Sequence, residues 1–414
     1  MPSTLLPGGL EGNTYDELAS GNYSDLATHN YAGPAIIRQV SLSVTFAGVA
    51  LSDVIQARGE VSADSGWPNC SVFVTAKPAT GNEEDDISVV AGAGNNVTRF
   101  TGKVRRFRPS GFPKSIEMVC SGTLAYAAEW VPPEDIYFDL VWPLGATDQQ
   151  LVQWALDQVP GVSYSAPNIA GTGTILGTAK GVHTAFDWPG SASSVSKTYN
   201  WKPGMSAWAY IQQLDRATLY RTYQARDGTI YRVQMIGHPD NTPDFTLAPS
   251  DILDGSSGSR DTERTRNYVV VQGHDYGDGL GPVQGNAFGS NDFQGDGSVP
   301  SQRHTESFQA EMIESGVDPE TGVWDSNPGL RADQIAALVL PDVDKEFVEA
   351  STPSWRDDTH GPGLTCLLDC LDRLAIGEPM WVARHAWEVG DQGWIATYGL
   401  TGGGLPQTYT PPPV

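Results

Sequence analysis

The stretch Trp201–Met235 constrains the fold more than any other. Pro203-Gly204 breaks the chain, and Ser206 is placed to cap a new helix by accepting a backbone N–H bond. Ala207, Ile211 and Leu214 follow at i, i+4 and i+7, so one stripe of that helix is apolar. Asp227-Gly228 then marks a tight turn, because both residue types tolerate positive φ. Counting outward from a two-residue turn, Gln224 faces Tyr231, Thr222 faces Val233 and Tyr220 faces Met235. The predicted unit is a helix lying on a hairpin, with a mostly apolar face between them. Nothing in it carries obvious chemistry.

The rest of the chain reads as mainly β with α+β parts. Residues 1–35 are polar and rich in Gly, Asn and Ser, and read as an N-terminal arm. A first β domain spans 36–130. Val40, Leu42, Val44 and Phe46 alternate with polar residues, and further strands are expected at Cys70–Ala76, Arg99–Phe107 and Ile116–Cys120. An α+β domain spans 135–250. Thr147-Asp-Gln-Gln150 is a capping box, and Val152, Ala155, Leu156 and Val159 form the buried stripe of the helix that it starts. A low-complexity bridge covers 163–198. A second β domain spans 258–345, with a strand at Asn267–Gly273, an acidic loop at 274–299 and a helix at Arg331–Leu340 whose apolar side holds Ile335, Leu338 and Val339. The region 346–400 pairs a helix at Leu364–Leu374 with a hairpin of Met380–Trp387 and Trp394–Leu400, and 401–414 is a Pro-rich tail.

Charge narrows the function classes. The formal net charge is -24. Such a surface repels phosphate backbones, which argues against tight nucleic-acid binding, although an acidic wall lets DNA pass without sticking. Lys103, Arg105, Arg106 and Arg108 form the dense basic cluster of the chain. It reads either as a solvated strand edge or as a contact with an acidic neighbouring subunit. No basic start is followed by an apolar core, and no run approaches the ~20 apolar residues of a membrane span, so no membrane insertion is expected.

Catalytic motifs are fragmentary. Asp64-Ser65-Gly66 is a single copy of a motif that an aspartic protease needs twice, because two carboxylates share one proton. Ser194-Val-Ser-Lys197 sits in low-complexity sequence without companion motifs. His274, Asp275, Asp278, Asp292 and Asp296 lack the order of a Ca²⁺ loop. Cys366 and Cys370, four apart, read as packed thiols rather than metal ligands. No catalytic, cofactor-binding or metal-ligating residue is assigned. Trp154, Trp208 and Trp381 lie in patterns that suggest burial.

The order of elements carries a resemblance. The strand pair Val40–Ile55 is followed by Phe100-Thr-Gly-Lys-Val, Ile116-Glu-Met-Val-Cys-Ser-Gly, the helix from Gln149, the Pro203–Leu214 helix, the hairpin, and Arg266-Asn-Tyr-Val-Val-Val-Gln-Gly. Over residues 36–345 this resembles the tail-hub, or baseplate-hub, proteins of long-tailed bacteriophages, including those grouped as prophage tail endopeptidases. The resemblance implies two small antiparallel β-barrel domains, at 36–130 and 258–345, with α+β domains beside them. It implies a homotrimer at the virion tail tip that adapts a six-fold tube to a three-fold tip. Its implied partners are the distal tail protein, the tape-measure protein and tip or fibre proteins, with genomic DNA passing through without specific binding. No cofactor is implied. The competing classes are a cell-wall endopeptidase or glycosidase, and a carbohydrate-binding adhesin.

Overall fold

A computed structural model describes residues 40–62, 65–92, 96–110, 115–133, 146–171, 175–177, 201, 204–234, 243–253, 256–261, 266–273, 284–289, 305–309, 329–343, 347–354, 362, 364–368, 379–390 and 393–402. The N-terminal arm, Asp64, Ser194–Lys197, Cys370 and the His274–Asp296 candidates lie outside these residues, as do 403–414 of the tail.

The chain is mostly β, mostly antiparallel and multi-domain. Its first part supplies β1 (Ser41–Phe46), β2 (Val49–Ala50), β3 (Val54–Ser62), β4 (Asn69–Val74), β5 (Asp86–Gly92), β6 (Val97–Ser110) and β7 (Ser115–Ser121), then a short helix α1 (Ala125–Glu129). The middle holds β8 (Ala146–Thr147), α2 (Asp148–Asp157), β9 (Ile175–Gly177), α3 (Ala207–Thr218), β10 (Tyr220–Gln224) and β11 (Ile230–Gln234). There follow β12 (Phe245–Leu247), β13 (Ser257–Asp261), β14 (Tyr268–Gln272), β15 (Gln284–Phe288), β16 (Thr305–Gln309), α4 (Gly329–Val343), β17 (Phe347–Ser354), β18 (Thr365–Leu368), β19 (Met380–Gly390) and β20 (Gly393–Gly402).

One large sheet joins the two ends of the sequence. Its strand order is β13-β17-β20-β19-β3-β4-β7-β6-β5-β1-β2, with β12 and β18 attached beside β19. Residues from both ends share one core: Val44, Phe46, Val72, Val89 and Met118 pack in the same cluster as Val382, Trp394 and Tyr398. Arg99 lies inside it, 1% exposed, with its guanidinium 4.2 Å from the centre of the Trp394 ring. Such a desolvated cation over an indole is worth roughly 2 kcal/mol.

A second core joins the middle of the chain. It unites Leu124 and, from α1, Ala127 with the buried stripes of α2 and α3, and with Val269, Val271, Ala332, Ile335, Ala336 and Val339. The stripes predicted for α2 and α3 are all buried: Val152, Ala155, Leu156, Val159, Ala207, Ile211 and Leu214 are each at most 3% exposed. Thr147 and Gln150 complete the reciprocal capping box, and Ser206 accepts from the Ala209 N–H. Trp201 stacks flat on Tyr210 with centroids 5.2 Å apart, while Trp130 and Trp154 meet it edge-on. Each such pair adds about 0.5–1.5 kcal/mol beyond area burial. Trp154 and Trp208 are buried as expected, whereas Trp381 is half-buried.

A smaller three-stranded sheet has the order β15-β14-β16. One face lies under α4, where Val269 and Val271 are buried and Gly285 comes so close that a Cβ there would overlap the backbone of Ala332 and Asp333. The other face shows three cross-strand rows: Phe288–Tyr268–Thr305, Asn286–Val270–Ser307 and Gln284–Gln272–Gln309. Among the described residues, no charged side chain stands on it.

Several expectations need correction. The hairpin loop has three residues, Arg226–Gly228, between Ala225 and Thr229, not two. Gly228, at φ +91°, donates to the Ala225 carbonyl at 3.0 Å, and the Ala225 N–H donates to Thr229 at 2.8 Å. This is a turn closed by a glycine bulge, and it moves the register by one residue. Gln224 therefore pairs with Ile230 and Thr222 with Arg232. The face beneath the helix is correspondingly polar. β5 was hidden because it lies between two glycine-rich charged loops. β15 lies inside the stretch read as one acidic loop. Thr365–Leu368 is a strand rather than the start of a helix, because it pairs with β12 and β19. Leu338 is 50% exposed rather than buried.

Candidate interface

The basic cluster lies on β6, and a bulge decides where its side chains go. Pairing with β7 steps from Val104↔Cys120 to Arg106↔Val119, leaving Arg105 as the extra residue. One inserted residue reverses the alternation beyond it. Val104 and Phe107, three apart, thus both lie on the inner side with Cys120 and Met118. Lys103, Arg106 and Arg108 share the opposite, outer face with Ser121, Val119 and Glu117.

The four basic residues are not equivalent. Lys103 pairs with Asp86 at 2.8 Å. Arg105, displaced by the bulge, lies over the Tyr126 ring at 4.8 Å and pairs with Glu84 at 3.3 Å and with Glu129. Burial works against its charge, but the two glutamates hold its pKa above the usual arginine value. Tyr126 also donates to Glu84. Burial first, then the Glu84 carboxylate, push that phenol up to about 12. Arg108 stands 4.0 Å from Glu117. Arg106 is exposed and has no ion-pair partner among the described residues. The structure thus brings Lys103, Arg106 and Arg108 onto one face and ties Arg105 back to its own chain.

That outer face continues across the sheet with both signs of charge. Arg58 lies 3.8 Å from Glu117 and 5.2 Å from the centre of the Phe73 ring. Arg384 meets Glu60 at 2.6 Å, and Gln56 donates to Glu388 at 2.5 Å. Exposed pairs of this kind stabilise by only about 0–1 kcal/mol each. Their effect is on which surface can approach, since a mixed-sign face selects a partner by matching charges. A continuous basic track for a phosphate chain is absent among the described residues of this face.

The second notable charge arrangement is internal. Arg232 on β11 is 0% exposed. Its Nε donates to Asp215 at 2.7 Å, one terminal nitrogen to Asp148 and to the Ala170 carbonyl, both at 2.7 Å, and the other to Thr218 at 2.6 Å. Its guanidinium also covers the Tyr220 ring at 4.5 Å. Burial opposes its charge, but Asp215 and then Asp148 hold its pKa above the usual value. The second Asp215 oxygen accepts from the Thr222 N–H at 2.7 Å. One cation therefore ties α2, α3 and the hairpin together. Asp148 opens α2, where a negative charge also suits the helix dipole. Arg232 and Asp148 are fully buried and Asp215 nearly so, and their bonds to one another hold the three elements in place. Sequence reasoning missed it because a one-residue register error placed Val233, not Arg232, under the helix.

The hairpin is also fixed to the large sheet. Gln224, 1% exposed, accepts from the Leu124 N–H at 3.0 Å and donates to Thr123 at 3.0 Å and to the Gly228 carbonyl at 2.9 Å. A Cβ on Gly122 would lie 2.2 Å from its Oε1. Trp67 and Trp208 meet edge-on across the same seam, 5.5 Å apart. Among the described residues, no group of three His, Cys, Asp or Glu side chains is placed to hold a metal, and no helix is long and apolar enough to cross a membrane.

No protein family matches the sequence, and no curated protein does. Solved structures do match in fold. The tail protein from Neisseria meningitidis MC58 is 12% identical, with a TM-score of 0.56, and the match covers 87% of this chain and 96% of that one. The 43 kDa tail protein of prophage MuSo2 from Shewanella oneidensis is 11% identical, with a TM-score of 0.52, covering 87% and 98%. The chain shares the fold of these two tail proteins.

Proposed function

We propose that this chain is a structural protein of a phage tail, built into the virion at the tail tip. Three copies form a hub ring that joins the tail tube to the tip and lets DNA through. The observation that carries this reading is the near end-to-end match in fold to two tail proteins, at 96% and 98% of their lengths. The large sheet and the β14–β16 unit correspond, in this reading, to the two hub units. The distal tail protein, the tape-measure protein and tip or fibre proteins are its neighbours. The Lys103–Arg108 strand faces an adjoining subunit rather than the channel, because an arginine cluster in the channel would hold passing phosphates. The chain acts without catalysis. That reading is in keeping with the tail proteins whose fold the chain shares.

Mass by light scattering tests the ring, since 3 × 44.4 kDa gives 133.2 kDa. A particle of that mass is expected for the chain alone, or a heavier one holding three copies once the adjoining tail protein is bound. Purified protein incubated with host cell walls should release no soluble peptide or sugar. Release that is lost on changing one acidic residue would replace the structural reading with an enzymatic one. Measurable affinity for duplex DNA at physiological salt would defeat the proposed channel.

A further inference from the structure

Two outward surfaces of one small unit stand apart from the rest of this acidic chain. The first is the open face of the β15-β14-β16 sheet, which carries only aromatic, aliphatic, hydroxyl and amide side chains. Tyr268 and Phe288 stack there with centroids 4.6 Å apart, and Phe288 is 39% exposed. The second is the side of α4 turned away from that sheet. Ala336 and Val339 are buried, while Ala337 is exposed and Leu338 is 50% exposed. The run Gln334–Pro341 contains no charged residue. A soluble helix of this kind ordinarily shows charges on its outer side. The large sheet does follow that rule, with Arg58, Arg106, Glu388 and their neighbours on its outer face.

We propose that these two surfaces are where copies of the chain meet, the open sheet face of one copy seating against the outer side of α4 in the next. The proposal rests on the ring reading and names the contact that closes it. Each copy carries a formal charge of -24, so copies repel and their contact must avoid burying carboxylates. The sheet face satisfies that condition, and on α4 the exposed Ala337–Leu338 patch does so between Asp333 and Asp342, which lie one turn to either side of it. Exposed Phe288, stacked on half-buried Tyr268, and exposed Leu338 supply the apolar anchors that such a contact needs. The geometry also sets the symmetry. An isologous contact uses one patch twice, whereas two unlike patches on opposite sides of one unit form a head-to-tail contact, the kind that a ring is built from when the rotation between copies closes. Three strands of five residues present roughly 14 × 17 Å, from the usual strand spacing and rise. That is less than the roughly 800 Å² per partner of a stable interface, so these residues form its dry centre and not its whole extent.

Val270→Glu and Leu338→Glu test the proposal, with Phe288→Glu as a second sheet-face variant at a more exposed position. Unchanged circular dichroism and thermal unfolding establish that each variant folds. Wild type is expected at the mass of three copies, and each variant alone at 44.4 kDa. The decisive sample is an equal mixture of Val270→Glu and Leu338→Glu. One intact sheet face and one intact helix face remain between them, so a dimer of 2 × 44.4 = 88.8 kDa should form, and no ring. If wild type forms the ring and all three variants keep it, the contact lies elsewhere and the ring reading survives. Loss of the ring in Arg106→Glu, with the ring kept in Val270→Glu, Phe288→Glu and Leu338→Glu, would move the contact to the basic strand. A mixture that stays monomeric would also overturn the head-to-tail geometry. Wild type that stays monomeric at every concentration, with and without the adjoining tail protein, would remove the ring reading itself.

Discussion

Replacing Arg232 with Met should loosen the middle of the molecule more than any surface change. The side chain is fully buried and makes four hydrogen bonds, to Asp215, Asp148, the Ala170 carbonyl and Thr218. Methionine fills much of the volume but donates nothing, so two carboxylates lose their cation inside the protein. Breaking a buried pair in this way costs about 3–5 kcal/mol, because the remaining charge stays desolvated. Two acids share the one cation here, which puts the expectation at the upper part of that range. Loss of the contact with the Tyr220 ring adds to it. The triple change Arg232→Met, Asp148→Asn, Asp215→Asn should recover most of the loss. It removes the orphaned charges, and an asparagine oxygen at 215 still accepts from Thr222. Trp130, Trp154, Trp201 and Trp208 lie in or against the same core, so their fluorescence in urea reports on this unit. Multi-domain chains do not unfold in one step, so amide exchange in α3 and β10–β11 should be followed in parallel. If Arg232→Met left the urea midpoint and the exchange protection unchanged, the cluster would not be holding these elements together. If the triple variant were no better than the single one, the cost would come from lost packing and not from orphaned charge.

Gly228→Val should destabilise the hairpin by about 1–3 kcal/mol, since φ of +91° strains a β-branched residue; unchanged thermal unfolding would contradict the loop geometry. Cys70 and Cys120 are directly opposed across β4 and β7, both buried, and burial pushes both thiols up. Their positions belong to a hydrogen-bonded pair, in phase with the Gly122-to-Pro68 bond, where opposed Cβ atoms lie about 5.5 Å apart, wider than the roughly 3.5–4.5 Å that a disulfide spans. Thiol reagents should therefore modify them only on unfolding, and mass spectrometry after mild oxidation should find no 70–120 bridge. Tyr223 is raised to about 12 by burial, then by Tyr231 and Asp227. The folded state keeps that proton while an unfolded tyrosine loses it near 10, so stability from this group is present below pH 10 and is lost as pH rises towards 12. Tyr223→Phe should make the alkaline loss of stability shallower, and an identical pH profile would refute the assignment.

The helices were legible because their signals are local. Thr147 with Gln150, and Ser206 with its apolar stripe, specify start, face and partner side within a dozen residues. The strand alternation at Val44–Phe46 and Met118–Cys120 was legible for the same reason. What sequence reasoning could not supply was pairing over long separations. Nothing near Thr365 signals that it pairs with Phe245's strand, so a short apolar run was read as helix. The register of β10 with β11 turned on one glycine bulge, and so did the placing of Arg232. At the basic strand, the residue types were evident but not the bulge at Arg105, which decides that Arg106 and Arg108 face outward together. Leu338 fits an apolar stripe by spacing alone. Only its neighbours' positions reveal that the stripe is wider than the surface it covers.

The seam between β3 and β19 carries a consequence for synthesis. Gln56 and Glu388, bonded across it, are 332 residues apart in the chain. At roughly 5–20 residues per second, β3 waits on the order of 17–66 s on the ribosome before its outer neighbour exists. During that interval its outer hydrogen-bonding edge is an open template for any other nascent strand, including the same strand on a neighbouring ribosome of the same message. Arrested chains ending before residue 380 should therefore be protease-sensitive at β3 and prone to pair with one another, and release of the full chain should abolish both. If stalled chains proved as resistant there as the finished protein, β3 would already be covered by something other than the C-terminal hairpin.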